Sequence, residues 1–179
     1  DNFSSGMVKY VGHEIRAVIM NKLEMDVRDT VLLANAESIA VEASMVAYEG
    51  VVIAAERDAG SLRTMEENAS KFGTHNIEII PEITVEALEK LPTPRLAFIV
   101  AQKSTIENDI VTLLKVNPKI KFIIYTLELD ILADIKYLMK KHGVDVTEVM
   151  QIAVSKVDKN GVFVAQPAPW MITCEVKEK

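Results

Sequence analysis

Ile15, Val18, Ile19 and Leu23 recur at three- and four-residue steps, which predicts an amphipathic helix over 13–23 with its apolar stripe facing a core. Downstream, short apolar runs at 30–34, 51–55, 77–80, 96–100 and 120–125 read as strands. The segments between them, 37–47, 61–72, 85–91, 104–114 and 129–142, carry helical spacing. A connection that holds a whole helix returns the chain to start a parallel neighbour by a right-handed crossover. After Gly143 the pattern changes: a strand over 145–157, a turn at Asn160 and Gly161, a strand over 162–165 and an apolar run over 170–176. Five strand–helix units closed by an antiparallel hairpin differ from a six-stranded all-parallel dinucleotide fold. The predicted class is α/β, a mostly parallel seven-stranded sheet with a C-terminal antiparallel hairpin. It is read as a single domain over 1–179, with a helix at about 12–24 and a sheet core at about 29–176.

Composition narrows the function classes. A chain of 179 residues that is 49% hydrophobic can bury a sizeable core. With 26 acidic against 20 basic side chains, net −6, it has no basic stripe to follow a phosphate backbone, so nucleic acid is not the expected partner. No apolar run reaches the length of a bilayer span and no secretory leader pattern is visible, so no membrane partner is expected and the localisation is read as cytoplasmic. Asp1 is not an initiator residue, and a longer precursor or a fused N-terminal segment is expected. The lone cysteine, Cys174, lies in an apolar run and is assigned to packing, as are Met20, Met45, Met65 and Met139 on the helices. His13, His75 and His142 show no metal-ligand spacing, so no metal is expected. The Gly-x-Ser-x-Gly and phosphate-loop signatures are missing, which removes α/β-hydrolases and phosphate-loop nucleotidases.

In such sheets ligands sit beyond the carboxyl ends of the central strands, where glycines let backbone approach a cofactor. Here the loop after the first strand reads LANAES at 33–38, without glycine and with Glu37 at the start of the next helix. Glu56 ends the second strand about 20 residues downstream, where an acidic side chain accepts hydrogen bonds from ribose hydroxyls. The alternative for Glu56 is a solvated carboxylate in the charged run 56–58.

Several segments together carry a family resemblance: HEIRAV at 13–18, IAVEAS at 39–44, AERD at 55–58, EENASKFG at 66–73, TLE at 126–128 and QIAVSK at 151–156. In these the chain resembles the decarboxylating precorrin methyltransferases of cobalamin biosynthesis, which have a Rossmann-like S-adenosylmethionine-dependent methyltransferase fold. It departs from their pattern in three places. Val11 and Gly12 replace a Thr-Lys pair, the cofactor loop after strand one has lost its glycines, and the glycine-rich segment after strand four reads VAQKS at 100–104. Ile83 stands where such enzymes often carry an acidic residue near the adenine, with Thr84 beside it.

The resemblance implies S-adenosylmethionine as cofactor, contacted by Asn35, Ala36, Glu56, Thr84 and Val100, and a tetrapyrrole substrate near Gln102, Tyr125 and Thr126, the alternative for Tyr125 and Thr126 being capping or strand-end packing. It names no catalytic residue. It also implies a homotetramer, for which the strand over 170–176 is an expected contact surface, the alternative being an internal strand. Two functional readings remain open at this level: a corrin C-methyltransferase, and a non-catalytic relative kept for binding or assembly. Methyl transfer to RNA is a third reading, which the acidic balance disfavours.

Overall fold

The computed structural model describes residues 12–178. Val11 therefore lies outside the described residues. Helix α1 (His13–Leu23) leads to β1 (Thr30–Ala34), and the chain then alternates through α2 (Glu37–Val46), β2 (Val51–Ala55), α3 (Ala59–Phe72), β3 (Ile77–Ile80) and α4 (Val85–Leu88). It continues through β4 (Leu96–Val100), α5 (Ile106–Val116), β5 (Lys121–Thr126) and α6 (Leu129–Lys141). The remaining strands are β6 (Val144–Gln151), β7 (Ser155–Val157), β8 (Phe163–Ala165) and β9 (Trp170–Val176).

Seven strands form one sheet in the order β3-β2-β1-β4-β5-β9-β6, with β9 antiparallel to both neighbours. The expected architecture is thus present, with one change at its end. The run over 145–157 splits into β6, inside the sheet, and β7, which pairs with β8 in a separate two-stranded arm. The predicted turn at Asn160 and Gly161 closes this arm: Gly161 has a φ of +76°, and Asp158 accepts hydrogen bonds from the backbone of Asn160 and Val162.

The seam over 170–176 is corrected to an internal strand. Met171, Ile172 and Cys174 are buried and β9 has a hydrogen-bonded neighbour on each side, so it offers no free edge. Burial pushes the Cys174 thiol up to about 12, as its assignment to packing requires.

Strand alternation sends side chains into two cores. Leu32, Ala34, Ile99, Phe122 and Ile124 face α5 and α6, whereas Val31, Leu33, Phe98 and Ile123 face α1, α2 and α3. Helix α2 buries Ala40 and Ala43, and these small residues let it pack close to the sheet. Met65 and Met139 fill these cores, but Met45 does not: it is 57% exposed, because α2 buries the opposite face.

At the amino ends of the strands, Asp29 is buried and takes a forked ion pair from Arg95, with Nη2 to Oδ2 at 2.6 Å and Nε to Oδ1 at 3.0 Å. The same Nη2 donates to the carbonyl of Leu23, which ties the end of α1 to β1 and β4. Close by, a Cβ at Gly50 would lie 1.9 Å from the backbone oxygen of Asp29. We expect Gly50→Ala to cost about 2–3 kcal/mol by forcing β1 and β2 apart, a fall of roughly 4–12 °C in Tm measured by circular dichroism.

Candidate functional site

The strand order reverses between β1 and β4, the place where an open α/β sheet leaves a crevice at its carboxyl ends. The β1 loop enters it through Asn35, whose φ of +57° lies in the left-handed region. Asparagine tolerates that region better than other side chains, which explains how a loop without glycine still turns here. The Asn35 N–H donates to Ala55 at 3.0 Å and its Nδ2 donates to the carbonyl of Val100 at 3.2 Å. The side chain therefore bridges the ends of β1 and β4. Behind it Ala36 and Glu37 are buried at the start of α2.

From the β2 side, Glu56 is buried and its Oε1 accepts the Asp58 N–H at 3.0 Å. Asp58 in turn caps α3, accepting from the Ser61 N–H at 2.8 Å. Arg57, the residue between them, turns outward and pairs at 3.7 Å with Glu82 from the loop after β3, both about half exposed. Helix α5 supplies Asp109, only 5% exposed, in its first turn. Burial, with Glu82 adding to it and Arg57 opposing, raises its carboxyl to about 6.

These groups meet in one cleft lined by Ala34, Asn35, Ala55, Arg57, Pro81, Glu82, Ile83, Gln102, Thr105 and Asp109. It encloses about 20 Å³ of free space, room for about one water molecule. Of the residues singled out in the sequence, Asn35 and Gln102 line it and Val100 is tied to it through its carbonyl. Ala36 and Glu56 are buried beside it without lining it. Thr84 also lies outside the lining; its hydroxyl caps α4, accepting from the Ala87 N–H at 3.2 Å, while Ile83 forms part of the wall.

Of the two readings of Tyr125 and Thr126 at the end of β5, facing the pocket or capping and strand-end packing, the structure shows the second. Tyr125 is buried against Phe98, ring centroids 6.0 Å apart, in the core beneath α1 and α2, and burial pushes its hydroxyl up to about 12. Thr126 is buried and its hydroxyl accepts the Glu128 N–H at 2.9 Å. The physical reason is strand alternation: with Phe98 and Ile123 on the α1 face, Tyr125 must point the same way. Sequence reasoning passed over Arg57, Glu82, Thr105 and Asp109. For Asp109 a signal existed, since it sits within the stripe of Ile106, Ile110 and Leu113 that α5 buries.

A parallel sheet that ends in an antiparallel strand pair and carries a polar cleft at its switch point defines a Rossmann-like methyltransferase fold. The chain belongs to the precorrin methyltransferase domain family, which it matches over residues 7–176. No curated protein matches it in sequence. Among solved structures it is similar to a precorrin-6y C5,15-methyltransferase from Geobacter metallireducens, with a TM-score of 0.81 and 24% identity over 97% of this chain and 93% of that one. It is also similar to a precorrin 8w decarboxylase from Methanobacterium thermoautotrophicum, TM-score 0.77, 19% identity, 93% and 91% covered. A more distant likeness is a SAM-dependent O-methyltransferase from Thermotoga maritima, TM-score 0.70, 14% identity, 94% and 67% covered.

The cleft suits a nucleoside cofactor in chemistry: a buried carboxyl at Asp109, a second beside it at Glu56, and apolar lining at Ala34, Ala55 and Ile83. Its free space of about 20 Å³ is small for such a ligand. Two weak contacts lie at it, the Asn35 bond to Val100 and the half-exposed Arg57–Glu82 pair. Parting them costs on the order of 1–2 kcal/mol, which a ligand can supply.

Proposed function

We propose that the chain is an S-adenosylmethionine-dependent C-methyltransferase of cobalamin biosynthesis, methylating a precorrin-6-type tetrapyrrole and releasing its acetate side chain as carbon dioxide. The observation that carries this reading is the polar cleft at the carboxyl ends of β1, β2 and β4, in a chain of the precorrin methyltransferase family. The names of the two precorrin relatives pair the two halves of the proposed reaction, methylation in one and decarboxylation in the other.

When bound, S-adenosylmethionine supplies a methyl group on a sulfonium, ready for displacement. The protein's part is to hold and orient the reactants, which converts a bimolecular reaction into an effectively unimolecular one. Glu56 is assigned to the ribose hydroxyls, Asn35 and Ala36 to the methionine end, and the Val100 and Thr84 segments to the flanks of the nucleoside. Gln102, on the cleft wall, is assigned to the tetrapyrrole side.

Isothermal titration calorimetry with S-adenosylmethionine and S-adenosylhomocysteine tests the reading. We expect stoichiometric micromolar binding that Glu56→Ala abolishes. Absence of heat and of thermal stabilisation at millimolar ligand would overturn it.

The free space of about 20 Å³ and the Asn35 bridge favour a second reading, a non-catalytic relative kept for binding or assembly. Asn35→Gly separates the two. It keeps the left-handed turn and removes the bridge, so a methyltransferase should bind S-adenosylhomocysteine about fivefold more tightly. A non-catalytic relative should show no binding in either form.

A homo-oligomer, a tetramer by family resemblance, is part of the same proposal. Its support is the β7–β8 arm, where Val157, Val162, Phe163 and Val164 are all more than half exposed. Apolar side chains left this exposed on both faces of a two-stranded arm are costly to leave in water. Light scattering coupled to gel filtration should show an assembly in the wild type and a smaller species in Phe163→Asp; a wild-type monomer would sink this part.

A further inference from the structure

Trp170, the one tryptophan of the sequence, opens β9 and is only partly buried. It stands opposite Thr126 of β5 and Gln151 of β6. Met171 points into the core beneath α1 and α2 and Ile172 into the core beneath α5 and α6, so strand alternation puts the indole on the α5–α6 face. Among the described residues it belongs to neither core, makes no ring contact and has no hydrogen-bond partner for its N–H. A tryptophan that serves the fold buries most of its large surface and satisfies its N–H. Here the ring stays partly in water with its N–H unmatched.

Its place is the carboxyl end of β5, where the cleft also opens. Ala34 and Ala55 of the cleft lining belong to the α5–α6 core, so cleft and indole share one face of the sheet. β4 and β9 are two strands apart, about 10 Å at the ordinary spacing between strands. Gln102 and Lys103, after β4, and Leu129, which opens α6, lie at the ends of the intervening strands. Gln102 lines the cleft, the Lys103 ammonium pairs with Asp130 at 3.4 Å on the surface, and Leu129 is 76% exposed. The sheet end thus presents an aromatic face and an exposed leucine, with a cation on the side toward the cleft. That combination suits a flat conjugated ring system that carries carboxylates.

We propose that Trp170 is the stacking platform for the methyl acceptor, its indole lying against the tetrapyrrole macrocycle over the ends of β5 and β9. The inference rests on the methyltransferase reading and names the residue that holds the acceptor, one strand beyond those expected from the sequence. Stacking on an aromatic face changes affinity by roughly tenfold to a hundredfold per stacked ring. Phenylalanine at 170 keeps such a face, and alanine removes it.

The probe is uroporphyrin III, a planar tetrapyrrole polycarboxylate, whose absorption band is followed as wild type, Trp170→Phe or Trp170→Ala is added. Expected are a loss of roughly tenfold or more in affinity in Trp170→Ala and near-wild-type affinity in Trp170→Phe. Calorimetric binding of S-adenosylhomocysteine should be the same in all three. Uroporphyrin affinity that is equal in wild type and Trp170→Ala, with S-adenosylhomocysteine still bound, overturns the assignment and leaves the methyltransferase reading standing. Absence of S-adenosylhomocysteine binding by the wild type overturns both. Ligand-free melting separates a platform from a packing residue: Trp170→Ala should lower Tm by less than about 4 °C, whereas loss of a core tryptophan lowers it by about 6–20 °C. The larger fall overturns the proposal. So does a smaller species of Trp170→Ala in light scattering with uroporphyrin affinity intact, which places the indole between copies of the chain.

Discussion

Replacing Arg95 by leucine is expected to destabilise the protein by about 3–5 kcal/mol, the cost of leaving a buried carboxylate without its partner. Asp29 is 7% exposed, and three of the donors it accepts from are Arg95 Nε, Arg95 Nη2 and the Thr30 N–H. Leucine removes the forked pair and also the bond to the Leu23 carbonyl that anchors the end of α1. Asp29 holds the guanidinium more firmly charged than usual through their hydrogen bonds. At roughly 2–4 °C per kcal/mol for a chain of this size, Tm should fall by about 10 °C. Lys103→Ala is the comparison. Its pair with Asp130 is some 70% exposed on both sides, and such pairs contribute about 0–1 kcal/mol. Urea denaturation of the two variants measures the difference; equal losses would mean that the Asp29 pair is no more than a surface contact.

Asp109→Asn should act in the opposite direction, and only above a certain pH. Burial raises the Asp109 carboxyl to about 6 from its ordinary 3.8, so the folded protein binds the proton more tightly than the unfolded chain does. Stability from this group is then fully present below about 4 and is lost as pH rises through 6. At pH 8 the wild type carries a desolvated charge that the variant lacks, and the variant should be more stable by on the order of 1–2 kcal/mol. At pH 4, where the acid is protonated, the two should melt together. Paired melts from pH 4 to pH 8 follow the gap. A constant gap would show that the change acts through packing and not through the charge.

Much of the architecture was legible because it is local. The stripe of Ile15, Ile19 and Leu23 sets α1, the short apolar runs set the parallel strands, and Asp158, Asn160 and Gly161 set the turn of the arm. The site was legible only in part. Glu56 and Asn35 follow from their places at strand ends, and both lie at the crevice. Tyr125 occupies an equivalent place at the end of β5, yet the parity of its strand turns it into the core. A strand end gives proximity to the crevice; only the pleat decides which face a side chain takes.

By itself, then, the sequence determined the order of helices and strands, the apolar faces that pack, and the family to which the pattern belongs. Those depend on spacing within 10 to 20 residues, which the backbone periods of 3.6 and 2 translate directly into faces. The tertiary structure alone decided that β9 enters between β5 and β6, and that Asn35, Arg57, Glu82, Ile83 and Asp109 share one cleft. These residues come from separate loops and one helix, and their meeting depends on where each crossover returns its strand to the sheet. No local period encodes that return, so the cleft emerges only once the chain is folded.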